Sequence, residues 1–233
     1  MRLQNIFKGL LKSLFLKNME SLRFKNPNRH LYGLPSPFQG EGQGMGLQFE
    51  SSHPSYNRFM QENSQLEINH PAPGFTLPDM GGQLHSLSNF RGKIVIINFW
   101  SAECPWSHRV DQALVEQVHK WGDRVVLLPV ASNSNEDTEL IIQESSTRGL
   151  PLVLHDENHV IADLYRAITT PHFFVVDQQG ILRYQGAYDD VTFRQREPTQ
   201  DYLIDAVEAL LQGEQPEPSQ TDSYGCSLVR QLP

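Results

Sequence analysis

The chain has 233 residues, 39% of them hydrophobic, and a formal net charge of −8. That is apolar material for one good-sized core plus extensions, in a protein too acidic to favour nucleic acid as a partner. The charge is uneven: residues 1–30 hold seven Lys or Arg and one acid, whereas residues 60–233 hold eleven and 24. No run approaches the ~18 apolar residues of a membrane-spanning helix. Residues 3–17 place Ile6, Leu10, Leu11, Leu14 and Phe15 on one helical stripe, with Lys8, Lys12 and Lys17 interspersed. This predicts an amphipathic helix through which residues 1–18 could make weak contact with an anionic membrane surface. The same lysines interrupt every apolar core that a secretory signal would need. From Glu20 to Asn69 no periodicity is sustained and residues 35–46 are low-complexity, so residues 1–69 read as a disordered N-terminal extension.

Patterned sequence begins at His70-Pro-Ala-Pro-Gly-Phe-Thr-Leu-Pro-Asp79. Gly81-Gly82 reads as a turn, and Leu84, Leu87 and Phe90 are expected to pack against a sheet. Residues 94–99 form a β-branched apolar run too short for a soluble helix and suited to a strand covered on both faces. Pro105 fits the first position of a helix, because the N–H it lacks would have no partner there, which puts Cys104 at the N-cap. The helix should run to about Trp121 with Val110, Leu114, Val118 and Trp121 on its buried side. A sulfur at that position faces unpaired N–H donors and the positive end of the dipole, both of which favour thiolate. His108, four residues on, could add positive charge, and the Glu103 carboxylate opposes it. The alternative is an inert, buried cysteine that caps a helix.

Residues 124–131 predict a second buried strand, with Pro129 at an end or an irregular position. Residues 133–137 should cap a helix reaching Arg148 and ending at Gly149, and residues 150–154 suggest a short strand. Residues 159–167 have a helical pattern with Ile161, Leu164 and Tyr165 inward. Such alternation implies an α/β domain with a mainly parallel sheet. A strand starts directly after Pro171, and Gln178-Gln-Gly180 turns the chain into a hairpin partner over 181–187. Residues 199–211 close the domain as an amphipathic helix with Leu203, Val207, Leu210 and Leu211 inward, stopped by Gly213. The domain therefore spans 70–212, and residues 213–233 read as a flexible polar tail carrying the second cysteine, Cys226. About 13 extended residues span about 40 Å, so Cys226 is within reach of Cys104. Other constellations are weak. His155 and His159 lack a third metal ligand, Ser107 lacks a Gly-x-Ser-x-Gly elbow, and Asp189-Asp190 reads as a solvated loop.

Asn98-Phe-Trp-Ser-Ala-Glu-Cys-Pro-Trp-Ser resembles the active-site segment of thioredoxin-fold redoxins, the group of thiol-disulfide oxidoreductases and alkyl hydroperoxide reductase/thiol-specific antioxidant proteins. The segment opening at His70 is similar to the first strand region of the same group. The resemblance implies a thioredoxin-like α/β fold, a central mixed sheet flanked by helices, with Cys104 as nucleophile. Where these proteins usually read Cys-x-x-Cys, this chain has Ser107, so no local disulfide can form. The ending Tyr224-Gly-Cys226-Ser-Leu-Val-Arg resembles the Gly-Cys-Ser tails of some Cys-Pro-x-Ser redoxins and suggests Cys226 as a resolving thiol, the alternative being an unpaired tail cysteine. In that fold a cis-proline faces the active cysteine. Pro171 is the candidate, with Thr170 presenting backbone groups to an extended substrate and Trp106, Ser107 and His108 completing the substrate-binding set. The alternative is a trans proline that starts an edge strand.

Two functions follow from the resemblance. In the first, Cys104 attacks a protein disulfide or a peroxide and an external thiol restores it, with no cofactor and no metal. Peroxiredoxins carry a proline seven residues and a threonine three residues before their cysteine. Here Ile97 and Ser101 stand there, which disfavours peroxide. Arg183 is a candidate source of positive charge near the sulfur. In the second, the chain is a non-catalytic binding or scaffold module. The expected compartment is cytoplasmic, with the periplasm and a membrane surface as alternatives.

Overall fold

The computed structural model of the chain describes residues 66–231 apart from residue 151. The helix expected over 3–17, its membrane contact and the extension up to residue 65 lie outside the described residues. The domain begins slightly before His70, since Leu66 and Ile68 already pack against the core and the Asn69 N–H donates to Leu182 O at 2.8 Å.

In chain order come β1 (Thr76–Pro78), β2 (Leu84–Ser86), β3 (Ile94–Trp100), α1 (Pro105–Trp121), β4 (Val125–Ala131) and α2 (Thr138–Thr147). There follow β5 (Leu154–His155), α3 (Val160–Leu164), β6 (Thr169–Thr170), β7 (His172–Val176), β8 (Leu182–Gly186), α4 (Tyr202–Gln212) and β9 (Cys226–Ser227). The main sheet has the order β5-β4-β3-β7-β8. β3 runs parallel to β4 and antiparallel to β7, so the sheet is mixed. β1 pairs with β2, and β6 with β9, in two small separate ladders.

All seven residues of β3 are buried because both faces of the sheet are covered. Ile94 and Ile96 point into a layer with Val110, Leu114 and Trp121 of α1 and Leu203 and Val207 of α4. Val95, Ile97 and Phe99 point the other way, towards Phe75, Leu87, Ala162 and Tyr165. The two-residue alternation of a strand thus serves two cores at once. β3 ends against the N-terminus of α1, where Cys104 lies.

Two local expectations differ. Leu84 is 66% exposed in the separate β1–β2 ladder, whereas Leu87 and Phe90 behind it pack with the core. Pro129 sits inside β4 rather than at an end, opposite Asn98. β5 begins only opposite Val130, so up to that point β4 is an edge where a missing donor interrupts no ladder.

The segment after Gly213, read as a flexible tail, is laid across the domain instead. Thr221 N–H donates to Gln185 O at 3.0 Å and Gln185 N–H to Ser219 O at 3.1 Å, so the tail covers the open edge of β8. Beyond β9, Leu228 is 6% exposed and belongs to the core, and Arg230 donates to Asp163 Oδ1 and Ala167 O, both at 2.7 Å. Open ladder groups and one apolar side chain account for the difference.

Candidate active site

Cys104 caps α1 in an extended conformation (φ −77°, ψ 119°), with Pro105 at the first helical position and His108 N–H donating to Cys104 O at 3.0 Å. Its own N–H donates to Ser101 Oγ at 3.0 Å, and the Ser101 hydroxyl donates to the buried Glu136 carboxylate. Glu136 also accepts from the N–H groups of Ala102 (3.1 Å) and Glu103 (3.2 Å). From the other side Arg148, almost fully buried, donates to the carbonyls of Ser101 and Ala102, pairs with Asp111 at 3.1 Å and Glu144 at 2.8 Å, and lies 5.2 Å from the Trp100 ring centroid. The loop carrying the sulfur is therefore held at its N–H groups by one carboxylate and at its carbonyls by one guanidinium.

Cys104 is 3% exposed. As a thiol it donates to Thr170 O at 2.9 Å. The Thr170–Pro171 peptide bond is cis, and β6 and β9 pair antiparallel with Thr170 opposite Cys226. Five residues of the expected set thus converge: Cys104, Trp106, Thr170, Pro171 and Cys226. The two cysteines are both free thiols.

Their acidities diverge. Burial pushes the Cys104 thiol up, but the Cys226 S–H and the backbone N–H groups of Ser107, Cys226 and Trp106 all stabilise its thiolate and bring it below its ordinary value. Cys226 is pushed up to about 12 by burial, by its own donation to Cys104 and by the Cys104 charge. Of the two, Cys104 is the sulfur whose thiolate is favoured and Cys226 the one that keeps its proton.

His108 is exposed, and after burial, which raises Cys104, the largest influences on the sulfur are the lowering ones of Cys226 and backbone N–H groups, on the side facing β6 and β9. Ser107 is fully buried and its hydroxyl has no protein partner. Arg183 donates to Asp177 at 2.6 Å and to Asn69 and Gln215, so its charge is already committed. His172 is buried and pushed down to about 4 by that burial, which leaves it neutral. Asp189 is not a solvated residue: it is 4% exposed and takes both arms of Arg109 at 2.7 and 2.8 Å. His159 caps α3 and contacts Ser132 O and Gln231 N–H. Among the described residues no group of three or more His, Cys, Asp or Glu could hold a metal ion, and no helix is long and apolar enough to cross a membrane.

Sequence reasoning missed Glu136, Arg148 and an aromatic cluster. Trp106 meets Tyr224 edge-on at 4.9 Å between centroids and Phe193 at 5.2 Å, and the Phe193 N–H donates to Tyr224 Oη at 3.0 Å. Beside this cluster a cleft of about 450 Å³ opens between Trp106, Val191 and Phe193, with Arg109 and Arg196 in its lining. Glu136 looked like one more polar residue ahead of a helix, and nothing local distinguishes a buried carboxylate from a capping one.

The AhpC/TSA family matches residues 68–185, about half of the chain, including Cys104, Thr170 and Pro171 but not Cys226. The thiol-disulfide oxidoreductase ResA of Geobacillus kaustophilus is 27% identical over 127 residues, which are 54% of this chain and 72% of ResA. The crystal structure of a hypothetical protein from Sinorhizobium meliloti is 27% identical with a TM-score of 0.66, covering 73% of this chain and 98% of its own. The thioredoxin domain of a thiol-disulfide oxidoreductase from Bacteroides vulgatus, 21% identical, superposes with a TM-score of 0.51 over 63% of this chain and 99% of that one. The fold is thioredoxin-like.

Proposed function

We propose, from the premise that the chain belongs to the AhpC/TSA family, that it reduces protein disulfides with Cys104 as the attacking thiolate and Cys226 as the resolving thiol. The observation that carries this reading is the pairing of Cys226 with Thr170, the residue whose carbonyl accepts from Cys104. A tail cysteine with no role has no reason to sit in that register.

The acidities supply an order of events. Cys104, the more acidic of the two, loses its proton and attacks as thiolate one sulfur of the substrate disulfide; a mixed disulfide forms and the other substrate sulfur leaves as thiolate. The negative charge on Cys104 then disappears. With it go two of the influences that keep Cys226 protonated, its donation to Cys104 and the Cys104 charge, so Cys226 becomes more acidic only when it is needed. Its thiolate attacks Cys104, the substrate leaves as its second thiol, and a Cys104–Cys226 disulfide remains. An external thiol reductant returns both cysteines to thiols, and the cytoplasm supplies such reductants. Trp106, Thr170 and Pro171 flank the entering substrate, while Ser107 takes the place of a second motif cysteine and leaves resolution to the tail.

The relatives named thiol-disulfide oxidoreductases favour disulfides over peroxides, as do Ile97 and Ser101. A charge-relaying thiol pair also favours turnover over a scaffold. The test is turnover of a model protein disulfide with a dithiol reductant. Activity should vanish in Cys104→Ser and be impaired in Cys226→Ser, which, given the disulfide substrate without reductant, should accumulate a mixed disulfide on Cys104. A non-reduced digest of the oxidised wild type should yield a peptide joining Cys104 to Cys226. Full turnover in Cys104→Ser would refute the assignment.

A further inference from the structure

We infer that residues 224–228 are an intramolecular image of the substrate, and that the site takes extended protein segments with an aromatic residue two positions before the reacting cysteine, a glycine directly before it and an apolar residue two positions after. The inference rests on the disulfide-reductase reading above and adds what that reading leaves open, the kind of segment recognised.

Each position of the tail is fitted differently. Tyr224 stands against Trp106 and Phe193, with ring centroids 4.9 and 6.0 Å away, and its hydroxyl oxygen accepts from the Phe193 N–H. Gly225 passes so close to β6 that a Cβ there would lie 2.2 Å from Thr170 O, which only glycine avoids. Cys226 is set opposite Thr170 and next to Cys104. Ser227 is exposed, so its position carries no requirement. Leu228 is buried in the core layer, and its N–H donates to Ile168 O at 3.0 Å. The ladder gives affinity through main-chain groups and the slots give selectivity, as in other strand-addition sites. The tail is attached to the protein, so it competes with any incoming segment for the same edge at a high effective concentration.

Two blocked pentapeptides test this, Tyr-Gly-Cys-Ser-Leu and Ala-Ala-Cys-Ser-Leu, each with its cysteine joined to thionitrobenzoate as a mixed disulfide. Cys104 thiolate attacks the peptide sulfur and thionitrobenzoate leaves as a coloured thiolate; Cys226 then displaces the peptide thiol, and added dithiol reduces the Cys104–Cys226 bond. With the full-length chain, KM for the first peptide should be lower by about tenfold, the scale of one aromatic contact set. In Gly225→Ala, whose tail cannot seat, KM for the Tyr-Gly-Cys peptide should fall further. Equal KM values for the two peptides, or an unchanged KM in Gly225→Ala, would overturn the image while leaving the reductase intact. No Cys104-dependent colour from either peptide would overturn both.

Discussion

Cys104 and Cys226 differ in acidity because each is the other's environment. Cys104 is lowered against its burial by the Cys226 S–H and by three backbone N–H groups, and Cys226 is raised to about 12 by burial and by Cys104 itself. A lowered value means that the thiolate persists as pH falls, so alkylation of Cys104 by iodoacetamide should continue below the pH at which an ordinary thiol stops reacting. Cys226→Ala removes the strongest of the lowering influences and leaves the burial of Cys104. Its alkylation profile should therefore move to higher pH, while Cys226→Ser, which retains a hydroxyl donor, should lie between. A profile indifferent to residue 226 would show that the two sulfurs do not share a proton. The N-cap position of Cys104 was legible because Pro105 marks a helix start. Helical spacing places His108 one turn on from Cys104 but says nothing about which way an N-cap sulfur turns.

The loop between β3 and α1 is the element on which this chemistry stands. Arg148 ends α2, far along the chain, yet it donates to two loop carbonyls and to Asp111 of α1, which is 1% exposed. Burial raises the Asp111 carboxyl despite the pull of Trp100 Nε1–H and Arg148, and its Oδ1 has no protein partner. Arg148→Ala strands that carboxylate. The expected cost is about 3–5 kcal/mol in urea unfolding, and the double replacement Asp111→Leu with Arg148→Met should recover only part of it, because it removes the stranded charge but leaves Trp100 Nε1–H and the two loop carbonyls without those partners. A loss under ~1 kcal/mol would mean that water already solvates the pair. Most elements were legible from their patterns: β3, α1, α2, β7 and α4 lie within a few residues of their predicted spans, since each has an apolar period and a proline, glycine or acidic cap at its ends. The bracing pair was not legible, because Asp111 and Arg148 look like ordinary exposed helix positions until the fold brings them together.

At the scale of the whole molecule, the proposed exchange requires a tail that can leave the site. Ordering the eight residues 224–231 costs about 1–2 kcal/mol each. Against this stand Leu228 at about 1.5–3 kcal/mol, the aromatic contacts of Tyr224 at about 0.5–1.5 each, and about half a dozen hydrogen bonds at about 0.5–1.5 each. The two sides nearly cancel, so the reduced tail should be held loosely, as the proposed substrate exchange requires. Gly225→Ala should tip that balance: amide exchange at Thr169, Ser227 and Leu228 should quicken while β3 and β7 stay protected. Sequence could show that Cys226 reaches Cys104 but not that it docks, since docking depends on the bare edges of β6 and β8, which exist only in the folded domain.

Oxidation should turn that loose docking into a tight one. A Cys104–Cys226 bond closes a loop of 122 residues (226 minus 104), and the chain-entropy picture assigns such closure about 5 kcal/mol of stabilisation. Engineered disulfides often return less because they distort the native state. Here β9 already sets the two cysteines together, so little distortion is needed and most of the gain should appear. The measurement is urea unfolding of the wild type in its oxidised and reduced forms, with Cys226→Ser as control. The oxidised wild type should unfold at a clearly higher urea concentration, and the control should show no dependence on redox state. Equal midpoints for the two wild-type forms would mean that oxidation leaves the tail unlinked, and the resolving role of Cys226 would have to be given up.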